Sequence, residues 1–287
     1  MRTKTISKTI VAISIIVLAF TAFFAVCFAP QAANVAFADG IEELSYRGAS
    51  GLVTTTDTFS YSTKTTESYF INSSVPAYYD TANRNYTCAP VAGANLIGFY
   101  DRYFPNLVPD IATGYTRGTR YTYYPMPRYE TQLQSLINDL ATRMGTNSNG
   151  TSANEFCYGV TSYVESKNLS VSYTSLTDYP DATPVFNLNR AINQLKAGNP
   201  IVFFASGVNF TTFSDNGNTV LMTINAANDD HVFVAYGYQK VIYYDASGNI
   251  VRECISFQAS SGEDGLTGYY VLNLNGNINA AKAVHLE

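Results

Sequence analysis

The chain has 287 residues, 46% of them hydrophobic and 14% charged, which is enough apolar material for one domain of roughly 200–250 residues or two smaller ones. Its formal net charge of −5 is spread thinly along the chain, which excludes the basic stripe by which a nucleic-acid binder displaces counterions. The two histidines and four cysteines lack the close spacing of a zinc site, so neither a metal nor a cofactor is expected.

The first forty residues have the pattern of an address label. Arg2, Lys4 and Lys8 give a positive start, and residues 10–29 carry no charge. Ala36-Phe37-Ala38 then sets small residues where a signal peptidase reads, so residues 1–38 are expected to be a signal peptide cut before Asp39. Twenty apolar residues also suffice to cross a bilayer, which makes an uncleaved anchor the alternative. Either way the rest is expected outside the cytoplasm, secreted or associated with the cell envelope. Cys27 is a poor lipoprotein site because bulky Val26 precedes it. Loss of the leader leaves Cys88, Cys157 and Cys254, an odd number, so at least one thiol stays free unless it bridges to another chain. A leftover thiol in an oxidising compartment is a candidate reactive group.

Residues 39–74 are rich in Ser and Thr and read as a stalk or an irregular β segment packed on the domain. A short extended stretch at 75–79 and a polar loop at 80–87 lead to Cys88-Ala89-Pro90, which opens an apolar run to Phe104 containing Ala92, Gly93, Ala94 and Gly98. Proline is tolerated in the first turn of a helix, so a buried helix is expected to start at the cysteine. Residues 105–129 read as loop. Leu133, Leu136, Ile137 and Leu140 have helical spacing within 130–144, and Gly145 ends that segment. Further helices are expected at 154–167 and 187–196. Strands are expected at 169–173, 201–204, 220–224, 231–238, 241–244, 250–257 and 269–274, with a hairpin turn at 245–249. Helices fill the first half and strands the second, which argues for an α+β fold.

A thiol at the start of a helix meets unpaired N–H groups and the positive end of the macrodipole, which favour the thiolate. Cys88 is therefore the candidate nucleophile. Cys157 and Cys254 have apolar neighbours and read as core thiols or as each other's partner. A nucleophilic cysteine needs a base to hold its proton and return it to the leaving group. His231 opens a strand and can project into a cleft, whereas His285, three residues from the end, is expected to face solvent.

The segments Asn85-Tyr86-Thr87-Cys88-Ala89-Pro90-Val91-Ala92-Gly93, Gly198-Asn199-Pro200-Ile201-Val202 and His231-Val232-Phe233-Val234-Ala235-Tyr236-Gly237-Tyr238 together resemble the bacterial peptidase C39-like group, over about residues 75–274. The resemblance implies a papain-like fold, with a helical N-terminal half, an antiparallel β half and the active site between them. It also implies an exported cysteine peptidase acting on peptide or protein substrates through Cys88 and His231. The glutamine that usually donates to the oxyanion, about six residues before the nucleophile, is Ala82 here. Asn85, ahead of Asn83, is the substitute donor, beside the backbone N–H of Cys88. The residue that orients the histidine is Asp245 or Gln258. A cell-wall amidase or transpeptidase, or a non-catalytic surface-binding domain, are the other readings of the same pattern.

Overall fold

The structure, a computed structural model, describes residues 45–46, 53–71, 75–82, 84, 86–108, 110–263, 267–271 and 278–287. The expected leader at 1–38 and both asparagines considered as oxyanion donors, Asn83 and Asn85, lie outside the described residues. Within them, the helices are α1 (Cys88–Asp101), α2 (Glu130–Met144), α3 (Ala153–Glu165) and α4 (Leu188–Lys196). Strands β1 (Ser45–Tyr46), β2 (Val53–Ser60) and β3 (Thr63–Phe70) precede α1, and β4 (Gly114–Arg117) and β5 (Arg120–Tyr123) follow it. Strand β6 (Thr151–Ser152) leads into α3; β7 (Val171–Ser175), β8 (Thr177–Asp178) and β9 (Val185–Phe186) lie before α4. The C-terminal part is β10 (Ile201–Asp215), β11 (Thr219–Tyr244), β12 (Ile250–Ser260), β13 (Thr267–Val271) and β14 (Ile278–Leu286). The fold is α+β. No helix among the described residues is long and apolar enough to cross a membrane.

Local chemistry sets the helix ends. Ser152 and Glu155 form a reciprocal capping box at α3, which satisfies two otherwise orphaned N–H groups. The Asn187 side chain accepts from the Arg190 N–H at α4, so the expected first helical residue is the cap itself. Gly145 ends α2 in the left-handed conformation, at φ 67°, where glycine carries no steric penalty. Helix α1 is buried along its whole length. Its Gly98 lies under the Tyr78 ring, so that a Cβ there would sit 2.6 Å from Tyr78 Cε2.

Eight antiparallel strands form the main sheet, in the order β2-β11-β12-β13-β10-β14-β7, with β3 also on β11. Strand β10 pairs with both β11 and β13, and β12 joins those two, so four strands close into a ring. Closure removes edges that would otherwise invite pairing with another chain. The Phe203 ring stacks on Phe233 at 5.3 Å and meets Phe257 at 5.1 Å, anchoring the core that α1 packs against.

Several sequence expectations need correction. The short runs at 220–224, 231–238 and 241–244 are parts of one 26-residue strand, β11. The polar stretch that seemed to divide them stays in the ladder because β10 follows it, with Val208 opposite Ala227 and Ser206 opposite Asp230. A register shift at Gly207, whose φ is +66°, absorbs the mismatch. The Ser/Thr-rich region holds two regular strands, β2 and β3, on β11. The stretch 105–129 is more than loop, since it contains the β4–β5 hairpin and a 3-10 turn at Met126–Tyr129. The C-terminus does not fray: β14 is paired on both sides. His285 on it is half-exposed, as expected, with Nδ1 3.1 Å from Asn199 Oδ1.

Candidate active site

The loop before α1 is built around one carboxylate. Asp80 accepts from the Ala82 N–H at 3.0 Å, from Arg84 Nε at 2.8 Å and from Thr87 Oγ1 at 2.8 Å. Burial pushes the Asp80 carboxyl up, but these donors outweigh it and hold it below the usual carboxylate range. Thr87 is the N-cap residue of α1, yet its hydroxyl serves Asp80 and caps nothing. The N–H groups of the first turn therefore stay available to the thiol that follows.

Cys88 occupies the first position of α1, and only 6% of its surface is exposed. Burial pushes its thiol up to about 12, and the carboxylate of Glu263 adds to the rise. The backbone N–H groups of Val232, Ala89 and Cys88 itself bear on the sulfur and pull in the opposite direction. Val232 is the residue after His231. Packing α1 on β11 thus brings Cys88 to the strand position next to His231.

The imidazole of His231 is completely buried, and burial pulls it down to about 4, so the ring is neutral at pH 7. Its Nε2 lies 2.6 Å from the carbonyl oxygen of Ser261. A carbonyl only accepts, so Nε2 carries the proton and donates. That leaves Nδ1 with its lone pair and no hydrogen-bond partner. The nearest charged atom is Glu263 Oε1, 3.8 Å away, beyond hydrogen-bonding distance. The ring itself is held between aromatic neighbours, stacked near Phe233 and edge-on to Phe210.

The expected orienting residues lie elsewhere. Asp245 closes the β11–β12 turn, where its carboxylate accepts from the N–H groups of Ser247 and Asn249 and from Asn249 Nδ2. It stands just past the C-terminal end of β11, while His231 lies near the middle of that strand, roughly 45 Å of strand length away. Gln258 sits on β12 opposite Gly237, while the partner of the histidine ring is the Ser261 carbonyl beyond the end of that strand. The group that holds the ring is therefore main chain, and no side-chain pattern in the sequence signals it. A short polar stretch after β12, Ser260-Ser261-Gly262-Glu263, is the one visible clue. Gly262 has φ +76°, and a Cβ on it would lie 2.9 Å from Val91 Cγ1 on α1. This strap thus lies directly against the first turns of the nucleophile helix. Cys157 and Cys254 are buried thiols in no disulfide, in separate apolar clusters, so of the two readings the structure takes core thiols and not a bridge between them.

A family model, described as the Peptidase_C39 like family, matches residues 72–259. That is well over half of the chain. The chain belongs to the Peptidase_C39 like family. The family match spans Cys88 and His231 and stops short of Ser261 and Glu263. No curated protein and no solved structure matches the chain. For this C39-like protein, membership supports a peptidase or hydrolase of the cysteine type in general.

Proposed function

We propose that this protein is an exported thiol-dependent peptide-bond hydrolase with a papain-like arrangement, in which Cys88 is the nucleophile and His231 the base. The observation that carries the reading is the ring of His231: Nε2–H is tied to the Ser261 carbonyl, and a buried, unpartnered Nδ1 is left on the residue next to Val232, whose N–H bears on the Cys88 sulfur. An acceptor of that kind is what a neighbouring thiol needs. In the reaction Nδ1 takes the proton of the Cys88 thiol, and the sulfur attacks the substrate carbonyl carbon. The N–H of Cys88 and the amide of Asn85 or Asn83 donate to the resulting oxyanion. The Nδ1–H proton passes to the leaving amine as the C–N bond breaks, leaving a thioester. Water, losing a proton to Nδ1, then hydrolyses the thioester and frees the thiol.

Both groups are buried in the form described, so the strap at 261–263 covers a resting site. Swinging the Glu263 side chain, which is 30% exposed, opens the sulfur while the Ser261 carbonyl keeps its hold on the ring. Export rests on the leader pattern at 1–38, with cleavage before Asp39. The same burial also supports a second reading, a non-catalytic domain on this fold. Incubating the mature protein with a peptide library, with and without a thiol alkylator, separates the two. Cleavage that is lost in Cys88→Ala and in His231→Ala supports the hydrolase. Cleavage that survives Cys88→Ala, or its absence from the wild-type protein, overturns it.

A further inference from the structure

The β4–β5 hairpin has two different faces. Tyr121 and Tyr123 turn inward: the Tyr121 hydroxyl shares a hydrogen bond with Thr113 Oγ1 (3.1 Å), and the Tyr123 hydroxyl donates to the Phe99 carbonyl of α1 (3.3 Å). On the other face Tyr115, Arg117, Arg120 and Thr122 are all exposed. Arg117 and Arg120 are direct cross-strand partners, and like charges in that position weaken a hairpin. Among the described residues no carboxylate lies within 4.0 Å of either guanidinium to relieve the repulsion. A third cation, Arg128, lies 3.6 Å over the ring of Tyr124, and Tyr124 packs on Tyr115 at 5.2 Å. These cations stand on a chain whose net charge is −5, so the patch opposes the overall sign.

Arg117, Arg120, Tyr115 and Tyr124 line a groove of about 740 Å³, together with the segment Val75-Pro76-Ala77. It is remote from the thiol: Pro76, one of its lining residues, packs at Gly98, ten residues along α1 from Cys88 and so about 15 Å away along the helix axis. Among the described residues, strands β4 and β5 pair only with each other, so each has an outer edge of main-chain donors and acceptors outside the ladder. An extended chain can add to such an edge.

We infer that this groove is a binding site for an extended acidic peptide segment, held by Arg117 and Arg120 and laid along the open edge of the hairpin between tyrosine walls. Two facing arginines with no carboxylate near them among the described residues favour an anion, and a strand edge outside the ladder fits a polypeptide backbone better than a glycan. Under the hydrolase reading the site is an exosite that captures acidic stretches of substrate, but its binding does not depend on the thiol.

The test uses the full-length mature protein carrying Cys88→Ala, titrated with a fluorescent extended peptide rich in Glu and Tyr, and with a Lys-rich peptide of equal length. The acidic peptide should bind and the basic one should not, with affinity falling as salt is raised. Arg117→Glu combined with Arg120→Glu should weaken binding about tenfold or more, as expected when charge partners become like-charged. Arg120→Gln alone should weaken it less, and the exposed position of both residues should leave the melting temperature unchanged. Equal affinity for the two peptides, or unaltered binding in the double variant, overturns the inference. So does preference for an anionic polysaccharide over the acidic peptide. Absence of peptidase activity in the wild-type protein, with acidic-peptide binding intact, would sink the hydrolase reading and leave this one standing.

Discussion

Native Cys88 should resist alkylation, and the structure gives the size of the effect. Burial raises the thiol from 9.0 to about 12, which makes the thiolate about a thousandfold scarcer at any pH below both values, equivalent to roughly 4 kcal/mol. Only the thiolate reacts with iodoacetamide, so at pH 7.5 the native thiol should react about a thousandfold more slowly than the same cysteine in urea-unfolded chain. The rate is read as the carboxamidomethyl fraction of the Cys88 peptide by mass spectrometry over time. Glu263 supplies part of the resistance, because its carboxylate disfavours a negative sulfur. Glu263→Gln should therefore speed alkylation, by roughly threefold to tenfold, since a partly exposed carboxylate is screened. Binding of a substrate peptide should accelerate it further by displacing the strap. If native Cys88 reacts as fast as the unfolded thiol at pH 7.5, the closed resting site described above is wrong.

The buried His231 gives a pH-dependent stability. Its pKa is pulled from 6.5 down to about 4, so the unfolded state binds more protons between those values. Stability contributed by the neutral ring is then present above pH 6.5 and lost as pH falls toward 4, by about 3 kcal/mol in total. His231→Gln should flatten that part of a urea-midpoint against pH curve. Gly262→Val adds a side chain at φ +76° against Val91, and should cost about 1–3 kcal/mol while raising Cys88 alkylation. Asp80→Ala removes the carboxylate that ties together the Ala82 N–H, Arg84 Nε and Thr87 Oγ1, although Arg84 keeps Asn138 and Thr87 keeps the Arg84 carbonyl. It should lower the urea-derived stability by about 2 kcal/mol and reduce kcat more than KM in a peptide assay. Gly159→Ala would place a Cβ 2.3 Å from Met144 Cγ and 2.9 Å from the Met144 backbone nitrogen. Overpacking there should lower stability by about 1–3 kcal/mol, measured by thermal melt.

The sequence by itself determined the helices and the strands of the ring, because helix α1, the heptad-like spacing of α2 and the apolar runs of β10 to β12 are local patterns with a strong period. It also pointed to Cys88 and His231, since a thiol at a helix start and a histidine at a strand carry their chemistry in residue type and position. What it did not contain was which runs fuse. The polar residues before His231 break the apolar pattern, and only the bulged pairing with β10 keeps them in one strand. The partner of the histidine was equally invisible, because a backbone carbonyl has no side-chain signature. Asp245 looked suitable by type but is consumed by its own turn. The tertiary structure alone decided that the chain after β12 packs against α1, where it fixes the His231 ring through Ser261 and brings the Glu263 charge to bear on the Cys88 thiol, with both Cys88 and His231 buried. Burial and long-range approach are properties of packed elements, and no local stretch of sequence encodes them.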